Sequence, residues 1–376
     1  MTNGDWIATI ACNIIQYQEN DGKVTKVAEG EENMGRMVDI SFVVPCYNSQ
    51  DYMERCLDSL LIEPERVEVI IVNDGSTDNT GSIADRYAAK YEGTVKVVHK
   101  RNGGHGSGVN AGLAAATGTY FKVVDSDDWL DRKALRELLK MLKDWNEKKT
   151  GVDLIVCNYL YDHLYEGKVQ RMGYENIFKD NVICSWNEIG KFQPSQYLIM
   201  HALIFRTEVL RWSGVKLPEH TFYVDNIFAN QPLTDMKTIC YRNLDLYHYF
   251  LGRDDQSVNE SVMMKRIDQQ IFVTKELLHK VNLKKARELS PKLENYLIRN
   301  MSIMLSISDI HLLLIGTKEA YEKRKELWQY YYKKNKGLYR YLRYRTLSGW
   351  TNLPGKAGGM LTLTGYRLAK KMYQFN

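Results

Sequence analysis

The sequence has little that would cross-link it or hold it in a bilayer. Its six cysteines, at positions 12, 46, 56, 157, 184 and 240, include no C-x-x-C pair and no histidine at a zinc-like spacing, which argues against a disulfide framework or a structural zinc site. No run approaches the roughly 20 apolar residues that span a membrane, and residues 1–30 lack the basic start and apolar core of a signal peptide. We therefore expect a cytoplasmic protein with reduced thiols.

Acidic residues are absent from one part of the chain. Residues 327–376 contain ten Lys or Arg and no Asp or Glu, whereas the other 326 residues carry 41 basic and 46 acidic side chains. The formal net charge of +5 therefore comes from this region, where cations alternate with aromatics. Such a composition favours a membrane surface with anionic headgroups. A solvated or oligomer-forming helical face is the alternative, and a single-stranded nucleic acid is a less favoured one.

The order of parts along the chain predicts an α/β catalytic region followed by helices. Strand-like and helix-like segments alternate from 39 to 157, with strands near 39–45, 67–73, 95–99, 119–124 and 153–157, which indicates a mostly parallel sheet with helices on both faces. Shorter strands are predicted at 202–206 and 237–241. We divide the chain into a disordered leader or misassigned start (1–37), the α/β domain (38–255), a helical region (256–333) and a basic aromatic tail (334–376).

Polar and glycine-rich segments follow the predicted strands where each one ends. They are Pro45-Cys46-Tyr47-Asn48, Asn73-Asp74-Gly75-Ser76-Thr77-Asp78, Asn102 to Gly112, and Asp125-Ser126-Asp127-Asp128. Ligands bind at the carboxyl ends of the strands in such sheets, so we expect these segments to form one cleft.

Three carboxylates at the end of one buried strand repel each other and resist desolvation. A divalent cation would relieve both effects, because hard cations take oxygen ligands. The alternative is an acidic turn in which Asp128 or Asp131 caps the following helix. With Tyr47 to stack on a base and carboxylates to hold a ribose, the cleft fits a nucleoside diphosphate bound with a metal.

Asp225 lies in the segment Tyr223-Val224-Asp225-Asn226-Ile227-Phe228. Apolar and aromatic neighbours would raise the pKa of its carboxyl and suit it to act as a general base. The alternative interpretation is a helix N-cap.

The four ordered motifs resemble those of family 2 glycosyltransferases of the GT-A fold, strongly over residues 39–145 and moderately over 200–255. The resemblance implies that Asp74 reads the base, that Asp125 contacts the ribose and that Asp127 coordinates Mn²⁺ or Mg²⁺ on the diphosphate. It implies that Asp225 deprotonates the acceptor hydroxyl in one inverting displacement. The implied donor site comprises Pro45, Tyr47, Asn48, Asp74, Gly75, Asn102, Gly106, Asn110, Asp125, Ser126 and Arg253.

Two positions depart from the family pattern. Val224 stands where the family usually has Glu before the base, and Val109 stands where bacterial members often have Arg. The second departure indicates that contacts to the diphosphate come from elsewhere. His105 is expected to be a solvated residue of the glycine-rich turn, and His201 and His248 to be hydrogen-bonded core residues.

The sequence thus predicts a metal-dependent glycosyltransferase that uses a UDP-linked sugar and a saccharide or lipid-linked saccharide acceptor. The setting implied is synthesis of a cell-surface polysaccharide at the inner face of the membrane. Two alternatives stay open: an inactive nucleotide-binding scaffold, and an NAD-dependent oxidoreductase based on Gly106-x-Gly108-x-x-Ala111 with Asp125 as the ribose-binding acid.

Overall fold

The computed structural model describes residues 37–163, 167–252 and 259–373, with side chains described to Lys370. The predicted leader lies outside these residues except for Met37, and so does Arg253.

The described strands form one ten-stranded mixed sheet in the order β3-β2-β1-β4-β9-β6-β10-β5, with β7 beside β6 and β8 beside β10. The strands are β1 (Ile40–Cys46), β2 (Val67–Asp74), β3 (Val95–Lys100), β4 (Tyr120–Val123), β5 (Trp129–Leu130), β6 (Leu154–His163), β7 (Lys168–Met172), β8 (Ile183–Cys184), β9 (Leu203–Arg206) and β10 (Ile239–Phe250).

Helices connect the strands and make up the carboxyl-terminal region. They are α1 (Met53–Leu60), α2 (Thr80–Lys90), α3 (His105–Ala115), α4 (Arg132–Glu147), α5 (Thr207–Trp212), α6 (Asp225–Asn230), α7 (Glu260–Lys265), α8 (Ile267–Lys280), α9 (Leu283–Leu289), α10 (Pro291–Ile315), α11 (Lys318–Lys334), α12 (Lys336–Arg345), α13 (Leu347–Thr351) and α14 (Gly355–Tyr373).

The parallel half of the sheet carries the motifs. Strands β3, β2, β1 and β4 are adjacent and parallel, and every residue of β1, β2 and β4 is buried. Strands buried on both faces need helices on both faces. Helices α1 and α4 supply buried leucines along one side each. The predicted α/β fold class is therefore confirmed.

The second half of the sheet is mixed. Strand β9 runs antiparallel to both β4 and β6, whereas β6 and β10 are parallel. Strand β10 is longer than the strand predicted at 237–241. The short strand β5 was not predicted, because two residues are too few for an alternating pattern to be recognised. Strand β5 follows the Asp125–Asp128 turn and pairs with β10. It therefore connects the turn after β4 to a strand of the mixed half of the sheet.

Helix α10 lies at the centre of the carboxyl-terminal helices. By length and composition alone, this helix could cross a membrane. However, 67% of its most apolar 18-residue segment is buried inside the fold. Its buried side chains include Leu297, Met301 and Leu305, so packing in the core already accounts for its apolar composition.

A buried carboxylate ties α10 to two neighbouring helices. Asp309 is fully buried and accepts hydrogen bonds from Trp328 Nε1 at 3.0 Å, Arg324 Nε at 3.2 Å and Thr351 Oγ1 at 3.2 Å. Burial raises the pKa of Asp309 to about 6, although the Arg324 charge and the hydrogen bonds oppose the shift.

Replacing Asp309 with Asn should change how stability depends on pH. The raised pKa means that the native state holds the proton between about pH 4 and pH 6, so the contribution of Asp309 to stability falls as the pH rises through this range. Asn does not titrate. We compare the free energy of unfolding of Asp309→Asn with that of wild type at each pH. This difference should shift in favour of the variant by about 3 kcal/mol between acid and neutral pH, as measured by urea denaturation.

The control is Asp268→Asn, which removes a carboxylate with 71% side-chain exposure that pairs with Lys323. Exposed pairs of this kind contribute little to stability, so its offset from wild type should hardly change with pH. An Asp309→Asn offset that is equally constant would show that the buried carboxyl does not titrate in this range.

Candidate active site

The carboxyl ends of β2, β1 and β4 meet at one edge of the sheet. Their parallel pairing brings Asp74, the Tyr47-Asn48 turn and Asp125 to that edge. The predicted motifs therefore come together in space, and helix α3 begins beside them at His105.

The four residues of the Asp125–Asp128 turn have different surroundings. Asp125 Oδ1 lies 2.8 Å from His105 Nε2, and the Ser126 hydroxyl lies 2.8 Å from that of Ser49. The side chain of Asp127 is partly exposed. The structure thus presents Asp125 and Asp127 at the cleft.

Asp128 points into the protein and is 1% exposed. It accepts hydrogen bonds from Tyr247 Oη at 2.5 Å and from the amide of Phe250 at 2.8 Å. Burial raises its pKa well above the usual range, and the charges of Asp127 and Asp125 add to the shift. Asp128 therefore holds the end of β10 against the turn and does not cap α4, a function that belongs to Asp131 through the amide of Ala134 at 2.7 Å.

A buried lysine lies behind the turn. Lys122 is 0% exposed, and its Nζ donates to His201 O at 2.6 Å and lies 5.0 Å from the centre of the Tyr247 ring. Burial lowers the pKa of Lys122 to about 8, while the charges of Asp125 and Asp128 oppose the shift. Its ammonium group is a resident positive charge for the acidic turn.

His201 lies in the core, as predicted, but makes fewer hydrogen bonds than expected. Its ring stacks on Tyr247 at 4.6 Å, and its Nδ1 is buried without a hydrogen-bond partner. One ligand atom each from Asp125, Asp128 and His201 lie within 4.8 Å of one another. His248 is hydrogen-bonded as predicted, with its Nδ1 3.1 Å from Asp162, but it is only partly buried.

Asp74 is held by the glycine-rich turn. Its carboxylate accepts from Lys100 Nζ at 2.6 Å and from the amides of Gly103 and Gly104, the latter at 2.7 Å, while Asn102 Nδ2 donates to Asp74 O at 2.9 Å. Asp74 is 3% exposed in this arrangement. The hydrogen bonds that its carboxylate accepts therefore serve largely to hold the turn in place.

Close approach of the backbone explains two of the predicted glycines. Gly75 has φ +72°, and an added Cβ would lie 2.7 Å from Asn102 N. An added Cβ on Gly106 would lie 2.7 Å from Pro218 O. Asn110 bonds both the amide and the carbonyl of Leu217, at 3.0 and 2.9 Å. Gly106 and Asn110 thus fix α3 to the segment around 217.

The first motif presents an exposed ring at the cleft. Tyr47 is 54% exposed and follows Pro45. Asn48, at φ +49°, accepts from the amide of Thr77 at 2.9 Å and so links the first two motifs. Cys46 lies between Pro45 and Tyr47 and is buried. Burial raises the pKa of its thiol, which indicates a structural residue.

Asp225 begins α6 on the opposite side of the cleft. Burial raises the pKa of its carboxyl, while the charge of His105 opposes the shift and that of Asp125 adds to it. The N-cap of α6 is Val224, which is buried, so Asp225 is not the cap. The preceding loop has positive φ at His220 and Tyr223, a strained conformation of the kind that recurs at functional sites.

His105 is solvated only in part, because 36% of its side chain is exposed while its ring is bonded to Asp125. It lies between the two sides of the cleft, bonded to Asp125 and close enough to Asp225 and Asp127 for their charges to act on it. Burial lowers its pKa, but the charge and hydrogen bond of Asp125 outweigh this and raise the pKa above the usual value.

Comparison with known proteins identifies this arrangement. The profile described as Glycosyl transferase family 2 matches residues 41–198, the part of the chain that holds all four strand-end motifs. Over these residues the chain is similar to glycosyltransferase family 2.

Proteins similar to this chain occur in several bacteria. EpsH of Bacillus subtilis, which is named as a glycosyltransferase, is 25% identical over 71% of this chain and 76% of its own length. The poly(ribitol-phosphate) beta-glucosyltransferase of Bacillus spizizenii is 42% identical over 58% of this chain and 33% of its own length. The chain thus spans only about a third of that enzyme.

Solved structures show the same fold. Crystal structures of Staphylococcus aureus TarS 1–349 with UDP and with UDP-GlcNAc each give a TM-score of 0.59 at 18% identity, and cover 88% of this chain and 92% of TarS 1–349. The chain therefore has the GT-A fold, followed by a helical region.

The carboxyl-terminal helical region supports the Asp225 side of the cleft. The amide of Phe222 donates to Gln269 Oε1 at 2.8 Å, and the Arg266 guanidinium lies 3.6 Å from the centre of the Phe222 ring. Asn300 Nδ2 donates to Asn230 Oδ1 at 2.6 Å at the end of α6. Residues from α8 and α10 thus hold the segment that carries Asp225.

Three residues of the site were missed or misjudged from the sequence: His105, Lys122 and Tyr247. Lys122 had a detectable signal, because it is the single charge within the apolar run Tyr120–Val124. Tyr247 had none, because a tyrosine 119 residues from Asp128 in sequence is placed beside it only by the pairing of β5 with β10.

Replacing Lys122 with Met should destabilise the fold by about 2–4 kcal/mol. The variant retains the side-chain length but leaves the His201 carbonyl unpaired and the acidic turn without its buried cation. Urea denaturation in EDTA measures the cost, and Lys133→Met on the exposed side of α4 is the control. Equal stability of the two variants would contradict the charge-compensating role of Lys122.

Proposed function

We propose that the protein transfers a sugar from a nucleoside-diphosphate donor, a UDP-sugar, to an acceptor hydroxyl in a metal-dependent, inverting reaction. The observation that carries the proposal is the arrangement of the Asp125–Asp127 turn and Asp225 on two sides of one cleft, with His105 between them.

The donor side of the proposal uses the first three motifs. Tyr47 is exposed for stacking on the base, and Asp74 and Asp125 are assigned to the base and the ribose. Pro45, Asn48, Gly75, Asn102 and Ser126 shape the same edge. The geometry assigns Gly106 and Asn110 to positioning α3, and Arg253 is proposed from the sequence alone.

The ligand atoms at the acidic turn fit a hard or borderline divalent cation. Asp127 would hold Mn²⁺ or Mg²⁺ at the cleft surface, and Asp125 and His201, whose ligand atoms lie within 4.8 Å of each other, offer an oxygen and a nitrogen atom. A bound cation would supply positive charge that stabilises the leaving diphosphate. Since Val109 replaces the family's Arg, we propose that His105, one helical turn earlier, supplies the nearby cationic group.

Asp225 is proposed as the general base. Its raised pKa suits a carboxylate that takes a proton from the acceptor hydroxyl, while the oxygen attacks the anomeric carbon and the nucleoside diphosphate leaves. The segment before Asp225 presents a half-exposed Phe222, which suits contact with a saccharide ring.

The physiological setting follows from the relatives. Their names include a poly(ribitol-phosphate) glucosyltransferase, and TarS was solved with UDP-GlcNAc. We propose that this chain is a hexosyl- or N-acetylhexosaminyl-transferase of cell-surface polysaccharide or teichoic-acid-like polymer synthesis. Its acceptor would be a saccharide or lipid-linked saccharide, and the enzyme would be a cytoplasmic protein, peripheral to the inner face of the membrane.

Asp127→Ala should abolish metal-dependent release of UDP. We would incubate the protein with a panel of UDP-sugars, with and without Mn²⁺, and measure UDP by a coupled assay. Slow hydrolysis of the donor reveals its identity without knowledge of the acceptor. The matched control is Asp144→Ala, which removes an exposed carboxylate on α4 and should leave release unchanged.

Retained UDP binding without release from any donor would favour the inactive-scaffold alternative. Absence of UDP binding in the wild type would overturn the donor assignment as a whole.

Asp225→Asn should lower kcat for transfer by about 10²–10⁴ with little change in the KM for donor, because proton abstraction is lost while the donor side is intact. In the wild type, kcat should fall as the pH drops through the pKa of Asp225, which burial places above that of an ordinary Asp. A residual activity with the same pH profile in Asp225→Asn would assign the base elsewhere.

A further inference from the structure

Exposed apolar side chains are concentrated near the carboxyl terminus. Of the 17 large apolar or aromatic residues that are exposed in the described chain, seven lie between 341 and 368. Trp350 and Tyr344 are 70% and 71% exposed. We call these seven side chains the carboxyl-terminal face: Tyr341, Tyr344, Leu347, Trp350, Met360, Leu361 and Leu368.

The residues of this face lie on connected elements. The first four recur every three residues along α12 and α13. The Thr362 hydroxyl donates to Trp350 O at 3.2 Å, which brings the start of α14 beside the end of α13. Helix α14 turns Gly359 and Thr362 inward, so Met360, Leu361 and Leu368 remain on its outer side.

Four cations lie around the face, and the carboxylate of Glu260, which contacts α14, is already paired with Tyr366 and Lys370. Arg340, Arg345, Lys356 and Arg367 are exposed among the apolar residues, and residues 327–376 contain no Asp or Glu. Basic side chains beside Trp, Tyr and Leu are typical of surfaces that enter the headgroup region of a bilayer.

The same charges argue against a second copy of the chain. A twofold interface places the same patch on both partners, so these four cations would face one another, while Glu260 is already paired with Lys370 within the chain. A nucleic acid would satisfy the cations but not four exposed aliphatic side chains.

We propose that the carboxyl-terminal face docks on an anionic lipid surface, with Trp350, Leu361 and their neighbours inserted among the lipids and the four cations against the headgroups. This rests on the proposed peripheral location and assigns it to particular side chains. Binding to vesicles needs neither donor nor acceptor, so it is tested separately from catalysis.

The experiment is co-sedimentation of the full chain with vesicles of phosphatidylcholine, with or without phosphatidylglycerol. We expect binding to the anionic vesicles that weakens as salt is added. The triple variant Arg345→Gln/Lys356→Gln/Arg367→Gln should bind on the order of 100-fold more weakly, at about fivefold per cation. The double variant Trp350→Ser/Leu361→Ser should also lose binding.

Trp212→Ser is the matched control, because Trp212 is 75% exposed outside this face, and it should bind like wild type. Circular dichroism verifies that each variant is folded, and UDP release in solution reports on the reaction independently. Equal binding by wild type and both face variants would overturn the proposal. Two other results would also overturn it if the wild type did not bind vesicles. One is a dimer in light scattering that depends on the same residues, and the other is binding to single-stranded DNA that depends on them.

Discussion

Carboxylates that share the buried end of one strand repel each other, and the site depends on how the fold manages this repulsion. The chain answers with positive charge and hydrogen-bond donors from distant segments: Lys122 from behind, His105 from the helix across the cleft, and Tyr247 from β10. These partners leave Asp127 at the cleft surface and Asp128 inside the protein. The chain's own cations and hydrogen-bond donors thus offset part of the repulsion within the acidic turn.

The catalytic cleft is not the product of the α/β domain alone. Strand β10 returns beside β6 and contributes Tyr247, and helices α8 and α10 hold Phe222 and Asn230 at the two ends of the segment that carries Asp225. The donor edge is built by the parallel strands, whereas the Asp225 edge is supported largely by the helical region. Asp309 in turn fixes α10 against α11 and α13, so the stability of that region bears on the position of Asp225.

Much of the fold and of the donor edge could be predicted from sequence, because buried parallel strands leave long apolar runs and each ends in a recognisable polar segment. Residues 40–46, 67–74 and 120–123 are found where the apolar runs predicted them. The contacts of His105, Lys122 and Tyr247 could not be predicted, because each depends on strand order and on segments far apart in sequence. Asn110 shows the same difficulty, since its motif indicated a ligand contact but its amide bonds Leu217.

The amide of His220 donates to Gly103 O at 2.6 Å, and Asn110 and Gly106 meet the same segment at Leu217 and Pro218. The turn that binds the Asp74 carboxylate and the loop that leads to Asp225 are therefore directly bonded to each other, so a shift in one displaces the other. Loops at the acceptor side of an enzyme are often regarded as exchangeable parts for engineering new specificities. In this protein, grafting a foreign loop over 217–225 would also move the glycine-rich turn, so acceptor and donor preference would have to be redesigned together.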